Sequence, residues 1–276
     1  MTGAVTTVAE LRAAIAAGHG PRRIGLVPTM GALHGGHMSL VREARRHAEL
    51  VVVSIFVNPA QFAPNEDFDA YPRTLEADLG KLAGHADLVF APTAREIYPQ
   101  GYATTIRVDG PSEGLESGFR PHFFSGVATV VAKLLIAASA DVAIFGEKDY
   151  QQLLVVRQMA RDLSLPVKII GAPTLRESDG LALSSRNAYL GPKERKVAGR
   201  LNLILKDAIL RAREGELRAA EGWAATALRE SGFDSVDYVA IRDAETLAPV
   251  MTLDRPARIL AAARLGKTRL IDNMPV

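Results

Sequence analysis

Arg23-Ile24-Gly25-Leu26-Val27 runs directly into Pro28-Thr29-Met30-Gly31-Ala32-Leu33-His34-Gly35-Gly36-His37, and a helical pattern follows over residues 38–47. A short apolar run, a glycine-bearing turn and a helix in that order form the first half of a β-α-β unit. The same alternation continues along the first two thirds of the chain. Strands are expected over 23–27, 50–57, 87–90, 141–145 and 167–170, and helices over 38–47, 75–82, 126–138 and 150–163. The strand segments are near-continuous apolar runs, as strands buried on both faces require. The expected fold class is therefore α/β: a Rossmann-like parallel sheet with helices on both faces.

The character changes around 173–192. A basic amphipathic helix follows, with Val197, Leu201, Ile204, Leu205 and Ala208 on one stripe. Another helix is expected over 217–229, and short strands over 236–241, 258–263 and 268–271. We expect a larger domain over residues 1–175 and a smaller C-terminal α+β domain over 176–276. At 276 residues, two domains accord with a soft prior of roughly 150 residues each.

Composition narrows the function classes. Hydrophobic residues make up 48% and charged ones 23%, a globular balance that excludes intrinsic disorder. Lys and Arg total 33 against 31 Asp and Glu, a formal net charge of +2, too small for a nucleic-acid-sized field. The basic residues between Lys193 and Arg213 have no interleaved aromatics, so a solvated helix face is the better reading there. There is no Cys, which removes disulfides, thiolate metal sites and thioester chemistry. No apolar run approaches the roughly 18–20 residues a bilayer span needs. A cytoplasmic protein with no membrane and no nucleic-acid partner is expected.

Four stretches carry chemistry. The first is the turn from Pro28 to His37. Its glycines let backbone approach a ligand, and the helix N-terminus behind it offers free N–H groups and a positive dipole end. His34 and His37 add donors for charge on a transferred phosphate. A plain tight turn with two surface histidines, or a metal pair, are the competing readings; a metal site would call for further ligands nearby. The second is Val53-Ser54-Ile55-Phe56-Val57-Asn58-Pro59-Ala60-Gln61-Phe62, a strand entering a polar loop whose amides can orient a small ligand. The third is Phe145-Gly146-Glu147-Lys148-Asp149-Tyr150-Gln151-Gln152-Leu153, where Lys148 can neutralise phosphate charge and Asp149 suits an N-cap or an accepting role. The fourth is Leu175-Arg176-Glu177-Ser178-Asp179-Gly180-Leu181-Ala182-Leu183-Ser184-Ser185-Arg186-Asn187, whose hydroxyls and guanidinium suit phosphate oxygens. Gly266-Lys267-Thr268 echoes a P-loop ending, but Ala261 stands where the earlier glycine belongs, so it is read as structural.

The strand–HxGH–helix element resembles that of nucleotidylyl transferases and class I aminoacyl-tRNA synthetases. With VNPAQF, FGEKDYQQL, LSSRN and LGKTRLIDN in order, the chain resembles the pantothenate synthetase (pantoate–β-alanine ligase) family over nearly its whole length. The resemblance implies ATP contacts at Met30, Gly31, Ala32, Leu33, His34, Gly35, Gly36 and His37. It extends them to Gly146, Glu147, Lys148, Asp149, Leu175, Leu183, Ser184, Ser185 and Arg186. It puts Gln61 on pantoate and β-alanine with Asn58 beside it, and Gln152 on pantoate. His37 would assist as a proton donor, with His34 and Lys148 as further catalytic groups. Tyr71 would line the pocket, and Asp78 is a candidate magnesium contact, although the metal ligands stay unassigned.

The family usually reads R-P-G-H-F-x-G-V, whereas Arg120-Pro121-His122-Phe123-Phe124-Ser125-Gly126-Val127 stands here. Phe123 occupies the usual His position, so His122 is left out of the site. Ala63 likewise stands where a glycine is commoner.

By resemblance, the reaction is an ATP- and Mg2+-dependent condensation of (R)-pantoate with β-alanine through a pantoyl adenylate, giving pantothenate, AMP and pyrophosphate. Residues 176–276 would act as a lid, and a homodimer is implied. A nucleotidyl transferase, a synthetase-like RNA enzyme and a non-catalytic binding protein are the rivals. The first should lack the Gln61 and Gln152 pair, the second should carry more positive charge, and the third should have lost site residues.

Overall fold

The computed structural model describes residues 3–17, 22–62 and 68–276. Among them, the main sheet contains β1 (Ala4–Val5), β2 (Ile24–Thr29), β3 (Leu50–Ile55), β4 (Leu88–Phe90), β5 (Val142–Gly146) and β6 (Lys168–Ala172). Every pairing is parallel, in the order β1-β4-β3-β2-β5-β6. The chain steps outward from β2 to β3 and β4 on one side, then returns past β2 to β5 and β6 on the other. The strand order therefore reverses between β2 and β5, where open α/β sheets bind ligands beyond the strands' carboxyl ends.

Side-chain alternation explains the burial on both faces. Val27, Val51, Val53, Val142 and Ile144 pack against Val41 and Ala44 of α2 (Gly35–His47) and Leu82 of α3 (Leu75–Leu82). Their neighbours Leu26, Val52, Phe90, Ala143 and Phe145 point the other way, onto Leu11 of the N-terminal helix α1 (Val8–Ala16), α5 (Phe123–Ala138) and α6 (Tyr150–Asp162). Each fully buried Val or Leu contributes about 1.5–3 kcal/mol by leaving water. The fold class expected from the sequence is what the structure has.

A second core begins at Leu181. It packs Pro192–Ala198, Arg200–Arg213 and Leu217–Glu230 onto an antiparallel sheet of β7 (Ser235–Asp243), β8 (Ala257–Leu265) and β9 (Thr268–Pro275). Leu247 and Leu260 belong instead to the main core, so the two hydrophobic clusters meet.

Several boundaries differ from expectation for local reasons. Helix α2 begins at Gly35 rather than 38, and α5 at Phe123 rather than 126. The single basic helix expected after 192 is two, broken at Gly199. Beside Gly199, Asp179 comes so close that an added Cβ would lie 2.6 Å from its Oδ2. Strand β1 and the short helix α4 (Ala94–Ile97) carry too few residues to show a period. Gly266 is the left-handed corner of the β8–β9 hairpin, with φ +54°. Ala63 lies outside the described residues.

Candidate active site

A cleft of about 1000 Å3 opens above the carboxyl ends of β2 and β5, bounded on the far side by the C-terminal sheet. Its wall is built from the stretches singled out in the sequence. Met30, His34, Gly36, His37, Gln61, Gly146, Lys148, Asp149, Gln152, Leu175, Leu183, Ser184, Ser185 and Arg186 all line it. Tyr71 lines it as well. Gly31, Ala32, Leu33, Gly35 and Glu147 do not form its wall.

The turn after β2 is held from below. Gly31 and Ala32 are both left-handed, with φ +83° and +50°, and a Cβ on Gly31 would stand 3.1 Å from Ile55. The two amides that follow are received by one carboxylate: Ala32 N donates to Asp78 Oδ2 at 2.9 Å and Leu33 N to Oδ1 at 2.8 Å. Thr74 Oγ1 also donates to Oδ2, and Lys81 Nζ donates to the Leu33 carbonyl at 2.6 Å. Asp78 is completely buried behind the turn, with both oxygens engaged. That geometry makes it the fastening of the turn rather than a magnesium contact.

His34 and His37 begin α2. Each Nδ1 accepts a backbone N–H: His34 from Gly36 at 3.1 Å, His37 from His34 at 3.3 Å. This reciprocal cap satisfies donors that a helix start leaves open. It starts the helix within a Gly-Gly segment whose propensity alone would not. It also fixes the tautomer, so in each neutral ring Nε2 carries the hydrogen. The rings lie 4.1 Å apart, centroid to centroid. Burial, then the Lys148 and Lys81 charges, pushes His34 down to about 4. Burial, then His34, Lys148 and Lys81, pushes His37 down to about 3. At neutral pH both are uncharged hydrogen-bond donors.

The Gln61 wall is positioned by Asn58, which is buried. Its Nδ2 donates to the Gly126 carbonyl at 3.1 Å, and its Oδ1 accepts from Ala60 N and the Tyr98 hydroxyl. Helix α5 passes so close that a Cβ on Gly126 would lie 2.3 Å from the Ala60 carbonyl oxygen. Arg120 donates to the Gln61 carbonyl at 2.9 Å, and its guanidinium lies 3.9 Å from the Phe123 ring centre. Phe123 thus faces the cleft, while His122 is exposed just ahead of α5.

After β5, Gln151 and Gln152 both line the cleft, and Gln151 is the buried one of the two. Gln151 Oε1 accepts from Glu116 N, and its Nε2 donates to the Pro111 carbonyl. Glu147 turns away to Arg258 at 2.9 Å. The Leu175–Asn187 segment folds back on itself, Leu183 N donating to the Leu175 carbonyl at 2.9 Å. Ser185 Oγ donates to the Ala32 carbonyl at 3.3 Å, which brings this segment onto the histidine turn.

The sequence reading did not single out the far wall. Glu116 receives Arg269 through both Nη atoms at 2.7 and 2.9 Å and the Tyr238 hydroxyl at 2.7 Å. Burial and the Glu116 charge push the Tyr238 phenol well above its ordinary value. Lys267, read as structural, also lines the cleft. The LGKTRLIDN string contained Lys267 and Arg269, but nothing in their spacing points to a cleft.

Among the described residues, no three His, Asp or Glu side chains gather as a metal site. Asp149 is the half-exposed carboxylate on the wall, its Oδ1 3.8 Å from Lys148 Nζ. A lone carboxylate suits magnesium that arrives on a nucleotide, held mainly by phosphate oxygens and water.

A helix N-terminus, neutral imidazoles and a lysine converging at the switch point of a doubly wound sheet define a nucleotide-handling α/β protein. The comparisons specify it further. A family model described as pantoate-beta-alanine ligase matches residues 3–275. The pantothenate synthetase of Mesorhizobium japonicum is 59% identical over 275 residues, covering 99% of this chain and 97% of its own. That of Caulobacter vibrioides is 58% identical over 278 residues, with 99% and 98% covered. A crystal structure of pantothenate synthetase from Thermus thermophilus superposes with TM-score 0.92 at 48% identity, covering 99% of both chains. The pantoate-beta-alanine ligase of Francisella tularensis, complexed with β-γ ATP and β-alanine, gives 0.84 at 34% identity, with 99% and 97% covered. The chain belongs to the pantoate–β-alanine ligase family, and it is an ATP-using ligase.

Proposed function

We propose that this enzyme joins (R)-pantoate to β-alanine in two steps within the one cleft, with MgATP as co-substrate. Its triphosphate faces the start of α2, Lys148 and the Ser184–Arg186 turn, and Asp149 is the protein carboxylate available to the nucleotide-borne magnesium. The observation that carries this reading is the meeting of those groups at one place, with Ser185 bonded to the Ala32 carbonyl.

In the first step a pantoate carboxylate oxygen attacks the α-phosphorus. The bond from that phosphorus to the bridging oxygen breaks, and pyrophosphate leaves. His34 and His37 stabilise the developing charge as oriented neutral Nε2–H donors, together with Lys148, Ser184, Ser185 and Arg186. The proton-donor role ascribed to His37 thereby becomes hydrogen-bond donation, since a ring held near 3 carries no spare proton at neutral pH. In the second step the deprotonated amine of β-alanine attacks the acyl carbon. The acyl–phosphate bond breaks, AMP leaves, and the amine proton passes to water. Gln61 and Gln152 orient pantoate, and Gln61 also meets β-alanine. Orientation in a closed pocket supplies much of the rate and keeps water from the adenylate.

Residues 176–276 form the lid of this scheme, supported by their own hydrophobic cluster. A cytoplasmic setting follows from ATP as substrate; among the described residues no helix is long and apolar enough to cross a membrane. The homodimer implied by the resemblance is read by sedimentation. The reaction is tested by pyrophosphate exchange into ATP: it should require pantoate and magnesium but not β-alanine. Exchange driven by an amino acid or a sugar phosphate instead would refute the assignment.

A further inference from the structure

Asp272 and Asn273 are consecutive residues of β9, both buried. The Asp272 carboxylate receives Arg176 in bidentate fashion, Nη1 to Oδ2 at 2.7 Å and Nη2 to Oδ1 at 2.9 Å. Arg176 also donates to the Gly180 carbonyl at 3.0 Å and bridges to Ala182. It therefore holds the base of the segment that delivers Ser184–Arg186. Asn273 Nδ2 donates to two successive carbonyls, Glu147 at 2.9 Å and Lys148 at 2.8 Å. Its Oδ1 accepts from Arg258 Nε, and Arg258 Nη2 reaches the Glu147 carboxylate. Asp272 Oδ1 accepts the backbone Asn273 N–H at 2.7 Å, which ties the Asp272 carboxylate to the main chain of the next residue.

One dipeptide thus grips two cleft walls that lie far apart in sequence. Neither wall is held in place by strand pairing alone: Glu147–Asp149 is a single 3-10 turn, and Ser185–Tyr189 is another. Lysine sits on a flexible four-carbon stem, so the position of its ammonium depends on the backbone turn beneath it. A pair of donors aimed at the carbonyls of residues 147 and 148 fixes that turn directly.

We propose that Asp272–Asn273 is the positioning element that sets the Lys148 turn against the Ser184–Arg186 turn, so that both cationic walls of the phosphate cleft keep one spacing. Both residues line the cleft, but with their polar atoms engaged by Arg176, Arg258 and the carbonyls of residues 147 and 148 the pair acts through Lys148 and Arg176. The proposal rests on the reading that Lys148 faces the triphosphate.

The test is a double-mutant cycle on ATP binding and steady-state kinetics. Asn273→Ala and Asn273→Asp are made in the parent and in Lys148→Ala. Asn273→Asp preserves shape and the Arg258 contact but presents an acceptor to two carbonyls. We expect kcat/KM for ATP to fall about 10- to 100-fold, the scale of a 1 Å misplacement. The KM for β-alanine should stay within twofold, and MgATP affinity in the Lys148→Ala background should change less than twofold on adding either substitution. Losses that multiply independently of Lys148→Ala, kcat/KM within threefold of the parent, or failure of both variants to fold would overturn the proposal. A parent that binds no MgATP would overturn the underlying reading, and the positioning role with it.

Discussion

Asp78→Asn separates a structural carboxylate from a metal contact. Asparagine keeps one acceptor oxygen and turns an N–H toward an amide that is itself a donor. Of the two backbone bonds, Ala32 N at 2.9 Å and Leu33 N at 2.8 Å, one is lost. A hydrogen bond to a charged group is worth about 1.5–3 kcal/mol. In a chain of this size each kcal/mol moves Tm by about 2–4 °C, so a fall of about 3–12 °C is expected. The loss should be the same in chelator, without nucleotide, because Asp78 acts on the left-handed Gly31–Ala32 turn and not on an ion. The KM for ATP should rise as well, since Met30 and His34 on the cleft wall flank that turn. The assay is thermal unfolding of parent and variant in EDTA, then with MgATP. A variant whose Tm matches the parent in EDTA and differs only with MgATP would refute the fastening role.

His34 and His37, held down to about 4 and 3, should give ring-proton NMR shifts that stay flat from pH 8 to 5.5; a midpoint near 6.5 for either would contradict their burial. As pH falls through 6.5 the unfolded chain takes up these protons while the folded chain waits until about 4 and 3. Stability is thus lost across that window and is insensitive to these groups above about 7.5, as denaturant midpoints can show. Gln152→Ala should raise the KM for pantoate about 2- to 12-fold, the range of one hydrogen bond of about 0.5–1.5 kcal/mol, with the KM for ATP unchanged. Gly126→Ala forces a Cβ to 2.3 Å from the Ala60 carbonyl and should cost about 1–3 kcal/mol in urea unfolding while weakening pantoate binding through Gln61. Glu116→Gln takes one of two carboxylates from the buried Arg269 and leaves Asp237 in place, so it should destabilise by about 1.5–3 kcal/mol, read in the same way.

The central strands were legible because Leu26–Val27, Val51–Val53 and Val142–Ile144 must be apolar on both faces, and few other settings call for such runs. The start of α2 was not, because Gly35 and Gly36 disfavour a helix and the two-histidine cap that overrides them exists only in three dimensions. The cleft wall was largely legible, since its groups sit at strand ends in short strings. What holds the wall was not. Asp78 acts on residues more than forty positions away, Gln151 on Glu116, and Asn273 on Lys148 across nearly half the chain. Such partners leave no local spacing to read. The Arg120–Phe123 stack is intermediate: the substitution of Phe for His was visible in the motif, but its face on the cleft needed the structure.

The most direct measurement follows the oxygen of pantoate labelled with 18O in its carboxylate, incubated with MgATP and β-alanine. Attack at the α-phosphorus by that carboxylate must leave one labelled oxygen on AMP and one in the amide carbonyl of the product. Label in the phosphate of AMP is the expected result. Label in inorganic phosphate or pyrophosphate, with none in AMP, would mean that the carboxylate is activated at another phosphorus and that the adenylate chemistry assigned to this cleft is wrong.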